Sequence, residues 1–243
     1  MTRKLRPLLP VLLLAGAGSA AASGLTINNL QNLSQSDLRL VDEDPGAALS
    51  YKPLIPAAPL GITGFDIGLG VTATSLKNSA VVQKAVTGGT VASVLPVPTL
   101  RLDKGLPFDI DIGFAYGKAP KSNISFYGGE IRWAIVPGDV ALPAIALRAA
   151  ATQLNGVSQL KFNTESIDIS VSKGFAIFTP YAGVGEVWVH GTPQGIPTLT
   201  NDSFLKTKVF GGVDLNFGLL NLDLEVDTVG NVPSYGAKVG LRF

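Results

Sequence analysis

The last ten residues of the chain alternate without a break. Tyr235, Ala237, Val239, Leu241 and Phe243 fall on one face of an extended chain, and Ser234, Gly236, Lys238, Gly240 and Arg242 on the other. A period of two marks a strand. A strand that is apolar on one face needs a covering layer or lipid there, and neighbours for its backbone groups. The same pattern recurs along most of the chain. Phe65, Ile67, Leu69, Val71 and Ala73 oppose Asp66 and small residues; Phe108, Ile110, Ile112, Phe114 and Tyr116 oppose Asp109 and Asp111. Tyr127, Ile131, Trp133 and Ile135 oppose Glu130 and Arg132; Ile145, Leu147 and Ala149 oppose Arg148; Ile167, Ile169 and Val171 oppose Asp168. Val209, Val213, Leu215 and Phe217 oppose Lys208 and Asp214, and Leu222, Leu224 and Val226 oppose Asp223, Glu225 and Asp227. Over 175–189, Phe175, Ile177, Tyr181, Val187 and Val189 are assigned to the apolar face, with Glu186 opposite and Trp188 beside it.

A soluble sandwich also alternates, so further tests are needed. Mean hydropathy is +0.34, yet past the amino-terminal stretch no apolar run reaches the ~20 residues of a spanning helix. Each alternating run is near the ~10 residues of a tilted membrane strand. Counted back from a periplasmic carboxyl terminus, the connections 218–221, 173–174, 137–142 and 104–107 are short, and 190–203, 155–163 and 76–93 are longer, with only 118–123 short on the outer side. Tight periplasmic turns and long outer loops are the membrane-barrel pattern. Phe108, Trp133, Phe175, Phe217 and Phe243 fall at periplasmic strand ends, and Tyr116, Tyr127 and Tyr235 at outer ends. Two aromatic belts suit two lipid–water boundaries. The expected fold is all-β: a transmembrane antiparallel up-and-down β-barrel of about 10–12 strands, with a short amino-terminal helix or plug as an option.

The first residues read as a secretory signal peptide, 1–22. Arg3, Lys4 and Arg6 precede the apolar Leu8–Ala15, and Ala20 and Ala22 form an A-x-A site. Residues 23–60 are a plug or a first hairpin, and 61–243 the outer-membrane barrel. Either Ser34 caps a helix over 34–44, or that stretch pairs with 47–54 through Asp44-Pro45-Gly46. The clear strands number about ten, and a hairpin would make twelve. In loop 76–93, Asn78 is placed to cap a helix with Val81, Val82, Ala85 and Val86 as its apolar side, resting on the barrel mouth or lidding an apolar entrance. Pro96, Pro98 and Pro180 predict a bulge or ragged strand ends.

Chemistry is sparse. With no cysteine, disulfides, thiol catalysis and Cys-based metal sites are excluded. Net charge is +1, with no basic stripe for nucleic acid. The functional suspects are the charges assigned inward: Asp66, Arg101, Asp109, Asp111, Glu130, Arg132, Arg148, Asp168, Glu186, Asp214, Asp223, Glu225, Asp227, Lys238 and Arg242. They form either salt-bridge networks filling a narrow lumen, or a pathway in which Asp223, Glu225 and Asp227 favour cations and Arg132 and Arg148 oppose them. A rim enzyme would need His190, the single histidine, as its base, with Ser203 and Asp202 across the same loop. Asp42, Glu43 and Asp44 read as a solvated turn, without Ca²⁺-site spacing. No metal or cofactor is expected.

The stretch Ser234–Phe243 resembles the closing strand of bacterial outer-membrane barrels. By that resemblance Tyr235, Val239, Leu241 and Phe243 form the signal read by the barrel-assembly machinery. The segments Tyr127–Arg132, Gly105–Asp111 and Pro180–Gly185 are similar to those of proteobacterial outer-membrane barrels of unassigned function. The resemblance implies outer-membrane location and lipid contact but transfers no functional residues. The expectation is a monomeric, non-enzymatic barrel acting as a small-solute channel or transporter. The alternatives are a structural or surface-interaction barrel with a filled lumen and, remotely, a rim hydrolase using His190.

Overall fold

The computed structural model describes residues 25–243, so the expected signal peptide and its cleavage site lie outside the described residues. Ten strands form a closed barrel: β1 (Phe65–Ser75), β2 (Val94–Leu106), β3 (Ile110–Lys118), β4 (Ser125–Val136), β5 (Ala144–Asn155), β6 (Leu160–Ser172), β7 (Phe178–Pro193), β8 (Asp202–Phe217), β9 (Leu220–Val229) and β10 (Val232–Arg242). Each strand pairs antiparallel with its sequence neighbours, and β10 closes on β1 from Ser234↔Thr74 to Arg242↔Asp66. Phe243 extends the seam by exchanging backbone hydrogen bonds of 2.7 and 3.0 Å with Phe65.

The barrel is apolar outside and charged inside, the reverse of a soluble protein. Leu69 is 69% exposed on β1 and Val239 is 52% exposed on β10, whereas Arg132 and Asp223 are fully buried. A continuous apolar belt of this extent requires lipid. Trp133, Phe175, Phe217 and Phe243 are exposed near one rim, and Tyr116, Tyr127 and Tyr235 are exposed toward the other, as the aromatic sorting predicts. No described helix is long and apolar enough to cross a membrane.

The connections 107–109, 137–143, 173–177 and 218–219 lie at one end. The other end carries loop 76–93, and strands there overhang the belt, their outward residues turning polar at Lys118, Gln153, Lys161, Asn163 and Ser203. Extended outer ends and tight periplasmic turns make the loop 76–93 end the outer one. Two expected long loops shrink to 156–159 and 194–201, because β6, β7 and β8 run on past the belt.

The strand count is ten, the lower alternative. Residues 34–44 do not form a hairpin with 47–54. Instead α1 (Gln35–Leu49) runs through the expected turn. Its start is a capping box: Ser34 Oγ accepts from Asp37 N at 3.1 Å, and the Asp37 carboxylate accepts from Ser34 N at 3.2 Å. Pro45 is carried inside the helix. Gly46 is needed because the β7 wall presses there, and an added Cβ would lie 2.8 Å from Val189 Cγ2. In loop 76–93 the helix is short: α2 (Ser79–Val82) followed by a 3₁₀ turn, Gln83–Ala85. Pro96 and Pro98 stand where β2 overhangs β3, whose pairing with β2 ends at Thr99↔Gly117, so their missing N–H groups cost no bond on that side.

Candidate functional site: a lumen filled by the chain's own amino-terminal segment

Residues 25–64 thread the barrel from its outer mouth to its periplasmic rim. At the top, Thr26–Ile27 pairs with Val86–Thr87 of the outer loop. Leu25 donates to Lys121 O at 2.9 Å, and its carbonyl accepts from Asn123 N at 3.3 Å. Next, α1 descends into the mouth. Gln35 meets Thr200, Arg39 pairs with Asp202 at 2.8 Å and Glu43 with Lys206 at 2.7 Å. Below Leu49 the chain is extended and bonds the wall directly. Tyr51 O accepts from Lys208 Nζ at 2.7 Å, Pro53 O from Arg101 at 3.1 Å and Pro56 O from Arg132 at 2.8 Å. Leu54 N donates to Glu225 at 2.8 Å, Ala57 N to Ser172 Oγ at 3.1 Å and Leu60 N to Asp111 at 3.1 Å. At the bottom Lys104 holds Ile62 O, and the chain turns into β1.

The two halves of the lumen are filled differently. A helix satisfies its own backbone groups, so an apolar wall can enclose it. The wall around α1 is accordingly apolar. Val97, Phe126, Leu154, Phe162, Val187, Val189 and Phe204 join Leu30, Leu38, Val41 and Leu49 in one buried cluster. An extended thread has no internal bonds, and a buried unpaired backbone group is costly. Below α1 the wall therefore supplies charged donors and acceptors.

The structure places most of the sequence-predicted lumen residues on the inner face of the barrel. Asp66, Arg101, Asp111, Glu130, Arg132, Arg148, Asp168, Asp214, Asp223, Glu225, Asp227 and Lys238 are buried inward, and Arg242 is nearly so. They form linked pairs: Arg132–Asp111 at 2.6 Å, Lys238–Asp66 at 3.0 Å, Lys238–Asp223 at 3.1 Å and Arg242–Asp214 at 3.0 Å. Arg148 sits between Glu130 (3.3 Å) and Asp168 (3.5 Å). The acidic stripe Asp223, Glu225, Asp227 is not an open cation track. Lys238 pairs with Asp223 (3.1 Å), Leu54 N and Tyr181 Oη bond Glu225 (2.8 and 3.0 Å), and Lys52 pairs with Asp227 (2.6 Å).

Two assignments fail. Asp109 lies exposed in the periplasmic turn with φ 58°, because β3 starts two residues later than expected. Glu186 faces outward, where it accepts from Thr207 Oγ1 at 3.0 Å. β7 is inverted relative to expectation: Tyr181 near its periplasmic end and Val187 and Val189 in its upper part point into the lumen, and Trp188 outward. Tyr181 bonds Glu225 there, and at Val187 and Val189 the reason is α1. The apolar face of β7 there serves the plug, so apolarity did not mark the lipid side.

Several lumen residues escaped sequence reasoning. Asp103, two residues from Arg101, and Lys208, already on the polar face of β8, were within reach of the alternation. Tyr51 and Lys52 were not: residues 23–60 read as a plug or a first hairpin, and within that segment nothing marks these two side chains as partners of the wall charges. Arg101 stacks 4.7 Å over the Tyr51 ring. Gly113 is required beside them: a Cβ there would lie 2.7 Å from Glu130 Cγ and 2.9 Å from Tyr51 Oη.

The acidic run at 42–44 is no solvated turn. Its side chains diverge: Glu43 takes Lys206, Asp44 accepts from Lys77 N and Asn78 N at 3.0 and 2.7 Å, and Asp42 faces Gly191 of the wall. Asp42 lies at the level of Gly191, above the lipid belt, with no hydrogen-bond partner for its carboxyl. Burial, and then the nearby Asp202, pushes that carboxyl up to about 8. Over α1, Val82, Ala85 and Val86 bury the loop's apolar side. A pocket of about 90 Å³ remains beneath it among Ile27, Pro45, Val82, Val86, Leu95 and Ile124. At the rim, His190 Nδ1 and Ser203 Oγ lie 2.9 Å apart on the outward face. Asp202 is turned inward to Arg39, so the acid of a triad does not join them.

No family model and no curated protein matches this chain. Among solved structures it is similar to a loop-deletion mutant of OmpT, an outer-membrane protein of Vibrio cholerae, at 14% identity and TM-score 0.33, covering 62% of this chain and 55% of that one. It thus spans about half the length of that protein. It is similar also to Neisserial surface protein A at 14% identity and TM-score 0.29, covering 74% of this chain and 95% of that one. A third is Ail, the attachment invasion locus protein of Yersinia pestis, at 12% identity and TM-score 0.29, covering 74% of this chain and 97% of that one. The chain itself, a closed ten-stranded barrel with a lipid-facing apolar belt and a charged interior, has the architecture of an integral outer-membrane β-barrel.

Proposed function

We propose that this protein works in the bacterial outer membrane with its lumen filled, through the surface that α1 and the outer loops present at the mouth. The observation that supports this reading is the thread itself. Three wall cations bond to its carbonyls and three wall acceptors to its amides over Tyr51–Leu60, so the thread occupies the lumen along that length. The outward face of β10, with Tyr235, Val239, Leu241 and Phe243, carries recognition by the assembly machinery. The barrel acts as a monomer.

A second reading, a small-solute channel or transporter, has one observation in its favour. Below α1 the thread belongs to no ladder, so it leaves the lumen without breaking the barrel's own pairing. Planar-bilayer recording separates the two. Refolded protein is expected to be silent, and protein lacking residues 25–60 to give steps. Stable steps from the intact chain would favour the channel and count against a surface role with a filled lumen.

A further inference from the structure

We propose that the barrel delivers its own amino-terminal end to the cell surface and holds it there. This rests on the membrane orientation of the reading above. The chain enters β1 at the periplasmic rim, beside Phe243. Followed backwards from there, it meets wall partners in steady ascent: Asp111 at Leu60, Arg132 at Pro56, Glu225 at Leu54, Lys208 at Tyr51, then Lys206 at Glu43 and Asp202 at Arg39. The described residues reach Leu25, whose backbone is bonded on both sides to loop 119–124 at the outer mouth.

A return to the periplasm is blocked by the same geometry. The lumen below α1 already holds one extended chain, bonded to the wall at Tyr51, Pro53, Leu54, Pro56, Ala57 and Leu60. A second passage would have to be made through the same space. Leu25 and the residues just after it are therefore held on the outer side. An apolar signal segment ending at Ala15 cannot stay anchored in the inner membrane ten residues before a point on the outer surface, so display at the surface also requires that the segment be removed. The barrel thus exports a segment as well as closing around it.

The chain has no cysteine, which makes single-cysteine labelling unambiguous. Ser23→Cys reports the amino-terminal end, Thr198→Cys an outer loop, and Val140→Cys, at a residue 99% exposed in a periplasmic turn, the opposite side. Asn28→Cys, at an exposed outer position, replaces Ser23→Cys where processing removes the latter. Intact cells are treated with a charged, membrane-impermeant maleimide and compared with lysed cells, with barrel assembly checked by heat-modifiable migration. The expected result is labelling of the amino-terminal and Thr198 positions to the same extent before and after lysis, and of Val140 only after lysis. Thr198 labelled on intact cells with the amino-terminal position silent would overturn the inference and leave the orientation standing. Val140 labelled on intact cells with Thr198 silent would overturn the orientation and the inference together. As a second readout, an epitope inserted after Ser23 is expected to bind antibody on unpermeabilised cells. Binding only after permeabilisation would contradict display.

Discussion

The outer and periplasmic halves of the lumen are one tube filled by one segment, yet they use opposite chemistry. Around α1 the wall is mostly Val, Leu and Phe, with Asp202 and Lys206 pairing Arg39 and Glu43 on one side. Around residues 50–60 it is Arg, Lys, Asp and Glu. The difference follows from the backbone of the filling. A helix brings its hydrogen bonds with it and asks only for packing. An extended thread brings unpaired carbonyls and amides and asks for partners. The inward charges are thus explained by what they bond, with no need for a conducting path.

The comparison makes the halves fail in different ways. The largest loss is expected below α1. Arg132→Ala strands Asp111 and the Pro56 carbonyl, and removing one partner of a buried ion pair costs about 3–5 kcal/mol. Denaturant unfolding of the refolded barrel measures it. The double variant Arg132→Met with Asp111→Leu should recover part of that loss, because no charge is left unpaired, but not all of it, since the Pro56 carbonyl and the Leu60 amide lose their partners. Above, Leu38→Ala removes a fully buried side chain of the apolar cluster, at about 2–5 kcal/mol. It should loosen α1 while the barrel stays closed, seen as protease cleavage within 25–49 with heat-modifiable migration retained. Equal loosening of residues 50–60 would mean that the halves are one cooperative unit.

Smaller effects sharpen the contrast. Gly46→Ala sets a methyl against Val189 and should cost about 1–3 kcal/mol by overpacking, read as a lower unfolding midpoint. Ser34→Ala removes the cap of α1, for about 1 kcal/mol, by the same measurement. The smallest is a pH effect. The Lys84 ammonium, and then the Ser34 backbone N–H, hold the Asp37 carboxyl below its ordinary value. A carboxyl whose folded value is depressed stabilises the fold above its unfolded value, near 3.8, and that contribution is lost as pH falls through the folded value. Helix α1 should therefore fray first under acid at its amino end, and Asp37→Asn should show no such acid step.

Much of this was legible in the sequence. The alternation located the barrel strands and, for most of them, which face meets lipid, because apolar and lipid-facing coincide wherever the opposite face is charged. That coincidence ends at Val187 and Val189, where the inward face is apolar because a helix lies inside and the outward face carries Glu186 and His190 beside Trp188. The capping signal at Ser34 was readable, but the end of α1 was not, since Pro45-Gly46 favours a turn locally and is overridden by packing against β7. The charges were readable as inward. Their partners were not, because the carbonyls of Tyr51, Pro53 and Pro56 carry no side-chain signature.

The most direct test of a lumen filled by the thread is residue-resolved amide hydrogen exchange on the refolded barrel. Leu54 and Ala57 lie in no helix or strand, and their amides are bonded to Glu225 and Ser172. Exchange orders of magnitude slower than in an unstructured chain, and matching the barrel strands, is the result predicted. Exchange of both amides at free-chain rates, with the strands still protected, would contradict it.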